Sequence, residues 1–163
     1  MDQRFANKVM VITGAAQGIG QRVAELAAQQ GAKLALVDRS PLVQELRDRL
    51  AAITDVIAVE VDLETFQGAE QAAEAAFKAF RRIDILVNNA GAAWGSPAED
   101  HPVDAWDKVM NLNVRGYFIL SQHIAKHSMI ARKQGSIINV ASIAGLGGNP
   151  SGMNTIAYNT SKG

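Results

Sequence analysis

The stretch "KVMVITGAAQGIG" at positions 8–20 decides the fold class of this chain. Its first half is apolar at nearly every position, which predicts a β-strand, Lys8–Thr13, that is buried on both faces. A glycine-rich turn follows, and apolar residues then recur at helical spacing over positions 19–27. Gly31 stands where a glycine commonly ends a helix. A buried strand joined by a short turn to an amphipathic helix predicts an α/β fold.

The same strand-then-helix pattern repeats along the rest of the chain. Further short apolar runs predict strands at Lys33–Asp38, Val56–Asp62, Ile83–Gly91 and Gly135–Ser142. Longer stretches with helical periodicity separate these runs, and the longest predicts a helix over about 102–132. Strict alternation of this kind predicts a parallel sheet with helices on both faces. No linker or low-complexity segment interrupts the pattern, so the sequence predicts a single domain over 1–163.

Two of the predicted helices begin with recognisable capping residues. Ser40 precedes Pro41, which predicts an N-cap followed by the first helical position. Thr65 predicts the N-cap of the next helix. In that third helix, apolar spacing predicts a buried side formed by Phe66, Ala69, Ala73, Phe77 and Phe80.

The composition is that of an ordinary globular protein and argues against several function classes. Hydrophobic residues make up 48% and charged residues 20% of the 163 positions, which suits one domain with a real core. Lys+Arg and Asp+Glu number 16 each, so the zero net charge gives no electrostatic reason to expect nucleic acid or a membrane as a partner. The chain has no cysteine and therefore no disulfide or thiolate metal site. The polar first ten residues do not resemble a signal peptide and no apolar run reaches spanning length, so we expect a cytoplasmic protein.

The turn "TGAAQGIG" (Thr13–Gly20) has the composition of a phosphate-binding loop. Gly14 permits a tight turn, Gly18 lets a pyrophosphate approach the backbone, and Gly20 permits close packing of helix against strand. The free N–H groups and partial positive charge of a helix N-terminus favour phosphate. The spacing G-x-x-x-G-x-G departs from the common G-x-G-x-x-G fingerprint, so the turn alone does not identify a dinucleotide site.

Asp38 supplies a second element of such a site. It ends the second predicted strand, 18 positions after Gly20, where a carboxylate can hold the hydroxyl groups of the adenosine ribose. An anion there repels a 2′-phosphate, so the sequence favours NAD over NADP. Arg39 beside it weakens that preference, because a cation attracts phosphate. The alternative interpretation of Asp38 is a turn residue at the end of a strand.

Several motifs in order make the chain resemble the short-chain dehydrogenase/reductase family. The resemblance covers the whole chain and rests on "TGAAQGIG" at 13–20, Asp38, Asp62, "NNAG" at 88–91, Asn113, Ser142 and "YNTSK" at 158–162. It implies a doubly wound, three-layer αβα Rossmann fold whose parallel sheet has about five strands in the order 3-2-1-4-5. It also implies a bound NAD(P) and hydride transfer between a secondary alcohol and its ketone.

The resemblance implies a role for each motif residue. The catalytic set would be Asn113, Ser142, Tyr158 and Lys162. The cofactor-binding set would be Gly14, Ala16, Gln17, Gly18, Ile19, Gly20, Asp38, Arg39, Asp62, Leu63, Asn88, Asn89, Ala90, Gly91, Val140, Tyr158 and Lys162. Thr13, outside this set, would brace the cleft. The residues expected beside the adenosine ribose are Asn88, Ala90 and Gly91. Asp62 and Leu63 are expected at the adenine, and the nicotinamide side would be lined by Ile12, Val140 and Ala141.

Tyr158 and Lys162 would carry the chemistry. Residues four apart lie on one helix face, so the ammonium group of Lys162 would lie near the phenol oxygen of Tyr158. A fixed cation stabilises phenolate, and the phenol can then act as a general acid–base near neutral pH. By the same resemblance, Ser142 would hydrogen-bond the substrate oxygen and Lys162 would also hold the nicotinamide ribose. The backbone carbonyl of Asn113 would hold a water beside Lys162, at an interruption of the long helix.

Other residues leave alternatives open. His123 and His127 have a spacing that can bind zinc, but no third ligand is evident, so we predict no metal site and expect a surface or subunit contact. Substrate contacts or simple packing could explain Trp94 and Trp106. The candidates for substrate contacts just before the last helix are Met153 and Asn154.

Members of the resembled family continue well beyond the Tyr–Lys pair. By that resemblance we expect the 163 residues to be a fragment that lacks the C-terminal strands. Strand five would then be an open sheet edge, and Tyr158 and Lys162 would stand on a short, marginal helix. We therefore expect little or no dehydrogenase activity from this piece alone. The parent protein would be a homodimer or homotetramer.

The leading functional prediction is an NAD-dependent oxidoreductase acting on the CH–OH group of a small-molecule substrate, such as a polyol, a sugar acid or a cyclic diol. "VDRSPLVQEL" at 37–46 is similar to diol-carboxylate dehydrogenases, whereas "NTIAYNTSKG" at 154–163 is similar to sugar-acid or polyol dehydrogenases. One alternative is a non-catalytic dinucleotide-binding module or inactive fragment of such an enzyme. Another is an extended-type epimerase or dehydratase, which "NNAG" and the short interval between motifs disfavour.

Overall fold

Five parallel strands form the centre of the molecule. The computed structural model describes residues 3–163, and its strands are β1 (Val9–Thr13), β2 (Lys33–Asp38), β3 (Val56–Glu60), β4 (Ile85–Asn88) and β5 (Ser136–Asn139). They pair in the order β3-β2-β1-β4-β5, and every pair is parallel. The predicted doubly wound sheet with strand order 3-2-1-4-5 is confirmed. β3, β4 and β5 end earlier than predicted, because their last predicted residues form turns at the carboxyl edge of the sheet.

Helices connect the strands on both faces of the sheet. Within the described residues they are α1 (Gly18–Gln29), α2 (Leu42–Leu50), α3 (Phe66–Phe80), α4 (Val103–Met110), α5 (Tyr117–Ile124) and α6 (Ile156–Lys162). The predicted long helix is one run in which π-helical segments, Asn111–Gly116 and Ala125–Met129, follow α4 and α5. Such segments widen a helix and often occur at functional sites. In the part of the chain from residue 3 to 163, no helix is long and apolar enough to span a bilayer.

Each face of the sheet has its own hydrophobic core. β1 is buried along its whole length, as its sequence predicts. Its side chains alternate between the two faces, with Ile12 in the core beneath α1 and α2 and Val11 in the core beneath α3 and α5. Leu46 of α2 and Leu120 of α5 are examples of the helical side chains that close these two cores. Burial of apolar surface on both faces makes β1 the centre of the fold.

The buried side of α3 is built from small residues, and its phenylalanines are less buried than predicted. The buried residues of α3 are Gly68, Ala69, Ala72, Ala73 and Ala76. Phe66 is 50% exposed, and Phe77 and Phe80 are only half-buried, although Phe80 packs against the core beneath α3. At the start of the helix, a Cβ atom on Gly68 would overlap the backbone carbonyl of Asp62, so a larger residue does not fit there.

The predicted capping residues form hydrogen bonds at the helix starts. Thr65 Oγ1 accepts a hydrogen bond from the Gly68 N–H at 3.0 Å and caps α3. Ser40 Oγ accepts a hydrogen bond from the Leu42 N–H at 3.3 Å, and Pro41 between them has helical backbone angles. These bonds satisfy N–H groups that have no partner within the helix.

β5 lies at one edge of the sheet and is exposed. All residues of Ser136–Asn139 are exposed, including the apolar side chains of Ile137 and Ile138. β5 pairs with β4 on one side only. The open edge expected at strand five is therefore present within residues 3–163.

Asp84, just before β4, forms hydrogen bonds that stabilise the amino-terminal end of the sheet. Its side chain is 5% exposed, and its oxygens accept hydrogen bonds from the Val9 N–H at 3.0 Å, Arg82 Nε at 3.1 Å and Arg132 Nη1 at 2.9 Å. Burial pulls the pKa of this carboxyl group upward, but the Val9 N–H and the guanidinium groups of Arg132 and Arg82 outweigh burial and lower the pKa. The charged carboxylate therefore stabilises the folded state.

Replacing Asp84 by asparagine is expected to lower the free energy of unfolding at pH 7 by about 2 kcal/mol. This is less than the roughly 3–5 kcal/mol for breaking a fully buried pair, because both arginines are partly in water. The folded-state pKa lies below the unfolded value of about 4, so the stabilisation is fully present above about pH 4 and is lost as the pH falls through the folded-state pKa. Urea unfolding should show that the difference in free energy of unfolding between the wild type and Asp84→Asn becomes smaller toward pH 3.

Asp55→Asn is the matched control for this prediction. Asp55 pairs with Lys33 at 2.6 Å, but both side chains are well exposed, so its loss should change stability by no more than about 0.5 kcal/mol. The assigned role of Asp84 would be contradicted if both variants lost the same free energy of unfolding. It would also be contradicted if the destabilisation of Asp84→Asn did not become smaller at acid pH.

Candidate active site

An open cleft of about 340 Å³ lies at the carboxyl end of the sheet, where the turns after β1 and β4 meet the end of β2. Its lining residues are Gly14, Gln17, Gly18, Ile19, Asp38, Arg39, Val61, Asp62, Leu63, Asn89, Ala90, Gly91 and Leu112. All of them except Val61 and Leu112 belong to the predicted cofactor-binding set. The cleft also explains why Ile19 is 66% exposed although it stands at an apolar position of α1.

The turn after β1 has the backbone geometry that its glycines predict. Gly14 and Gly18 adopt φ values of +63° and +58°, which side-chain-bearing residues rarely adopt. A Cβ atom on Gly18 would meet nothing within 4 Å, so the space in front of this residue is open. Gln17 precedes α1 without a side-chain capping bond, and the first turn of α1 has no acidic residue. The N-terminus of α1 can therefore offer N–H groups and its dipole to an anion.

Thr13 ties the two turns of the cleft together. Its side chain is fully buried, and Oγ1 accepts hydrogen bonds from the N–H groups of Asn89 at 2.9 Å and Ala90 at 3.0 Å. The hydroxyl group donates to the carbonyl oxygen of Val87 at 3.3 Å. In return, Asn89 Nδ2 donates to the carbonyl oxygens of Thr13 at 3.0 Å and Gly14 at 3.3 Å. These bonds fix the separation between the glycine turn and the turn after β4.

Asp38 is held rigidly at the end of β2. Its Oδ2 atom accepts a hydrogen bond from the Ala16 N–H at 3.0 Å, and its Oδ1 atom accepts one from the Ser40 N–H at 2.9 Å. Ala16 is buried and does not line the cleft, so its contribution is this backbone N–H group. Because each carboxylate oxygen can accept more than one hydrogen bond, Asp38 can still accept from a ligand hydroxyl group.

Arg39 and Glu64 form an ion pair at the same end of the cleft. Arg39 Nη1 lies 3.4 Å from Glu64 Oε1. Burial and the neighbouring charge of Asp62 raise the pKa of the Glu64 carboxyl group, although Lys108 and Arg39 oppose them. Sequence reasoning missed Glu64, because it lies 25 positions from its partner Arg39.

The predicted place of Asn88 beside the adenosine ribose is corrected by the structure. Its side chain is fully buried, and Nδ2 donates hydrogen bonds to Asn139 Oδ1 at 2.8 Å and Ser121 Oγ at 3.0 Å. It therefore faces β5 and the long helix rather than the cleft. Successive residues of a strand face opposite sides, and at the end of β4 it is Asn89 that faces Thr13.

The predicted nucleotide contacts Gly20 and Val140 also lie outside the cleft lining. Gly20 is buried, and a Cβ atom there would overlap the carbonyl oxygen of Gly14. Gly20 therefore allows α1 to pack against the turn itself. Val140 is the residue after β5, and its backbone carbonyl oxygen accepts a hydrogen bond from Lys162 Nζ at 2.7 Å.

Asn113 lies in the first π-helical segment and connects three elements. It is 3% exposed. Its Oδ1 atom accepts a hydrogen bond from the Ala92 N–H at 2.9 Å, and Nδ2 donates to the Ala92 carbonyl oxygen and to Ser161 Oγ, both at 2.9 Å. The expected interruption of the long helix is present at this residue. The side-chain bonds, which the sequence did not predict, hold α6 against the long helix.

Lys162 lies between two tyrosine rings. Its Nζ atom is 5.3 Å from the ring centre of Tyr117 and 5.8 Å from that of Tyr158, and it donates to the Tyr117 hydroxyl oxygen at 3.5 Å. Burial lowers the pKa of Lys162 and raises the pKa of Tyr117 to about 12, with Tyr158 adding to the latter shift. A Cβ atom on Gly91 would lie 3.9 Å from Lys162 Nζ, so the ammonium group lies beside the turn after β4.

Ser142 and Tyr158 are brought to the same region by packing of α6 on the turn after β5. Ser142 Oγ accepts a hydrogen bond from the Ala144 N–H at 3.2 Å. Asn159 Nδ2 donates to the Ala144 carbonyl oxygen at 2.9 Å and so anchors α6 one residue after Tyr158. Tyr158 is half-buried and stands on the first turn of α6.

The four predicted catalytic residues thus converge from separate elements. Asn113 comes from the long helix, Ser142 from the turn after β5, and Tyr158 and Lys162 from α6. Sequence reasoning missed Tyr117, although it stands four positions after Asn113, a spacing that places both residues on one helix face. Chemically, the arrangement offers hydroxyl donors and a half-buried cation beside the turn that borders the cleft.

The loop before α6 joins the loop after β4. The Ser96 N–H donates to the carbonyl oxygen of Asn154 at 2.8 Å, and Met153 beside it is 58% exposed. Trp94 is 46% exposed, whereas the ring of Trp106 lies edge-on to that of His101 at 6.2 Å. Met153 and Asn154 therefore remain candidates for substrate contacts, while Trp106 has a packing partner.

His123 and His127 lie in a groove between α3 and the long helix, away from the cleft. Their ring centres are 6.2 Å apart, and Phe66 lies edge-on to His123 at 5.9 Å. Glu70 and Glu74 line the same groove. Over the stretch from residue 3 to residue 163, no three His, Asp or Glu side chains are arranged to hold a metal ion. The predicted lack of a metal site stays a prediction.

Comparisons with known proteins agree with this geometry. A family model described as short chain dehydrogenase matches residues 8–163. A 1,6-dihydroxycyclohexa-2,4-diene-1-carboxylate dehydrogenase of Pseudomonas putida is 40% identical over 167 residues, covering 100% of this chain and 59% of that protein.

Solved structures with similar folds contain either nicotinamide dinucleotide. A short chain dehydrogenase/reductase from Burkholderia phymatum in complex with NAD superimposes with a TM-score of 0.90 at 34% identity, covering 97% of this chain and 56% of that chain. A putative NAD(P)-dependent gluconate 5-dehydrogenase from Beutenbergia cavernae with NADP bound at low occupancy gives a TM-score of 0.89 at 34% identity, covering 99% and 64%. This chain spans less than two thirds of the length of each of these three proteins.

Proposed function

The chain belongs to the short-chain dehydrogenase family, and on that premise we propose that the protein interconverts a secondary alcohol and its ketone, with a nicotinamide dinucleotide as hydride carrier. The observation that supports this proposal is that the turns after β1 and β4 meet in one cleft. Thr13 binds the glycine turn to the turn after β4, and Gly91 of that second turn borders Lys162. The cleft and a half-buried ammonium group therefore meet at Gly91.

The residues of the cleft fit a dinucleotide. The open space before Gly18 and the uncapped N-terminus of α1 suit a pyrophosphate. Asp38, held by two backbone N–H groups, suits the hydroxyl groups of an adenosine ribose. The nicotinamide of such a ligand would supply the hydride acceptor or donor. Asp62 and Leu63 line the side of the cleft where we place the adenine.

NAD is the proposed cofactor rather than NADP. Asp38 carries a negative charge where NADP would carry its 2′-phosphate, and the carboxylates of Asp62 and Glu64 add to that charge. Solved relatives hold either cofactor, so the preference rests on these residues of this chain.

The proposed chemistry assigns one role to each catalytic residue. Tyr158 gives its phenolic proton to the substrate oxygen in reduction and takes it back in oxidation. Ser142 Oγ accepts its bond from the Ala144 N–H, which leaves the hydroxyl hydrogen available to donate to the same substrate oxygen. Lys162 places its positive charge beside Tyr158, with Nζ 5.8 Å from the ring centre. Asn113 positions α6 through Ser161.

We propose a polyol, a sugar acid or a cyclic diol as the substrate class. The support is the activity named for two similar proteins, a 1,6-dihydroxycyclohexa-2,4-diene-1-carboxylate dehydrogenase and a putative gluconate 5-dehydrogenase, whose named substrates carry both hydroxyl and carboxylate groups. We further propose that residues 1–163 form one dinucleotide-binding domain and that the protein assembles as a homodimer or homotetramer. Exposed Val114 and Phe118 on the long helix offer an apolar contact face for such assembly.

The test combines binding with turnover. NADH is titrated into the protein while its nicotinamide fluorescence is followed, and NADH formation from NAD is then screened over a set of polyols, sugar acids and cyclic diols. Binding together with turnover of at least one secondary alcohol supports the proposal. Binding without turnover supports the alternative, a dinucleotide-binding module or an inactive fragment of such an enzyme, and absence of binding overturns the proposed function.

A further inference from the structure

Arg39 is the cation that a 2′-phosphate would need. Within residues 3–163, it is the only lysine or arginine that lines the cleft. It directly follows Asp38, the residue placed at the adenosine ribose. An arginine at this position can accommodate the extra phosphate of NADP, because its guanidinium group forms paired hydrogen bonds with phosphate oxygens. The conformation of Arg39 therefore bears directly on the choice of cofactor.

Glu64 pairs with that guanidinium group from the segment after β3, next to the cleft-lining residues Asp62 and Leu63. Its Oε1 atom lies 3.4 Å from Arg39 Nη1, and its side chain is only 19% exposed whereas that of Arg39 is 59% exposed. The Glu64 N–H donates to Asp62 Oδ1 at 2.9 Å, and the next residue, Thr65, caps α3. Glu64 thus stands on a fixed backbone, whereas the side chain of Arg39 is mostly exposed.

We infer that Glu64 sets the preference for NAD over NADP by holding Arg39 in an ion pair, an inference that rests on the proposed function. The two anions act differently. Asp38 repels a 2′-phosphate directly, whereas Glu64 competes with that phosphate for the single arginine of the cleft. Because the pair is partly exposed, its effect on the NADPH affinity is modest.

The test measures the dissociation constants of NADH and NADPH for the wild type and for Glu64→Gln. Glutamine keeps the shape of the side chain and removes its charge. The expected result is that NADPH binds about three- to tenfold more tightly to the variant, while the NADH affinity changes less than about twofold. Glu74→Gln on α3 is the matched control, since it makes the same change of net charge away from the cleft and should alter neither constant.

A double variant shows whether Glu64 acts through Arg39. The charge of Lys108 also lowers the pKa of the Glu64 carboxyl group, so Arg39 is not the only cation that interacts with it. Glu64→Gln is therefore compared in the wild type and in an Arg39→Ala background. The gain in NADPH affinity should vanish in that background. A gain that persists there, or an unchanged ratio of the two constants in Glu64→Gln, overturns the inference while leaving the proposed function intact. Circular dichroism checks the fold of each variant, and Glu64→Ala gives a second removal of the charge.

A wild-type protein that binds neither dinucleotide gives a different result. It overturns the proposed function and the inference with it.

Discussion

Replacing Tyr158 by phenylalanine is expected to lower kcat by about 10²- to 10⁴-fold, the range associated with loss of a general acid–base. The ring is retained, so its packing beside Lys162 should persist and NADH affinity should change less than about threefold. The measurement uses initial rates of NADH formation with the alcohol that the screen identifies, together with a fluorescence titration of NADH. A change in affinity as large as the change in rate would indicate a binding role for Tyr158.

Tyr117→Phe is the matched control for this prediction. The rings of both tyrosines of the chain lie beside Lys162 Nζ, and each substitution removes one phenolic hydroxyl group. Burial, assisted by Tyr158, raises the pKa of Tyr117 to about 12, so this phenol is a weaker acid than an ordinary tyrosine and a poorer proton donor to a substrate. We expect Tyr117→Phe to lower kcat by less than about tenfold, through its hydrogen bond with Lys162.

Alkaline titration provides a readout that does not depend on turnover. In Tyr158→Phe, the only remaining tyrosine is Tyr117, and its phenolate absorbance should appear only near pH 12. If Tyr117→Phe abolished turnover and Tyr158→Phe spared it, the proposed assignment of the acid–base residue would be wrong.

The parallel sheet could be predicted because buried parallel strands have a recognisable sequence pattern. β1 is apolar in sequence and buried at every residue, and the glycine turn after it has the positive φ values that glycines predict. The strand order and the positions lining the cleft were implied by the motifs that resemble the short-chain dehydrogenase family, rather than by periodicity.

Side-chain direction could not be predicted from the same pattern. Asn88 and Asn89 are neighbours of the same type, yet Asn88 faces β5 and Asn89 faces Thr13. Their difference depends on the exact residue at which β4 ends. The half-burial of the phenylalanines of α3 could not be predicted either, because apolar spacing indicates a helix face but not how deeply each ring on it is buried.

Side-chain contacts between residues that meet only in the folded chain could not be predicted from the sequence either. The spacing of Tyr158 and Lys162 predicted an ammonium group at the phenol oxygen. In the structure, Lys162 Nζ donates to the backbone carbonyl oxygen of Val140 and lies 5.3 Å from the ring centre of Tyr117 and 5.8 Å from that of Tyr158. A backbone acceptor has no signature in a sequence, because every residue carries one. Glu64 and Arg39 are likewise joined only by the packing of β2 beside the segment that follows β3.

Replacing Gly20 by alanine is expected to weaken NADH binding by about 10- to 100-fold. The added Cβ atom would overlap the Gly14 carbonyl oxygen and lie 2.7 Å from Asn89 Nδ2. Overpacking of this kind costs roughly 1–3 kcal/mol, which corresponds to about 5- to 150-fold in an equilibrium constant. The clash can be relieved by moving α1 away from the turn. That movement would displace the N–H groups that we place at the pyrophosphate.

Gly148→Ala is the matched control, because it adds the same atom to the same residue type. A Cβ atom on Gly148 would meet nothing within 4 Å, and Gly148 lies in the loop before α6, outside the cleft lining. The NADH dissociation constants of both variants, with urea unfolding curves for each, separate lost binding from lost stability. If Gly20→Ala bound NADH as tightly as Gly148→Ala, the glycine turn would not form the phosphate site. The contact between Gly20 and Gly14 would then serve packing alone.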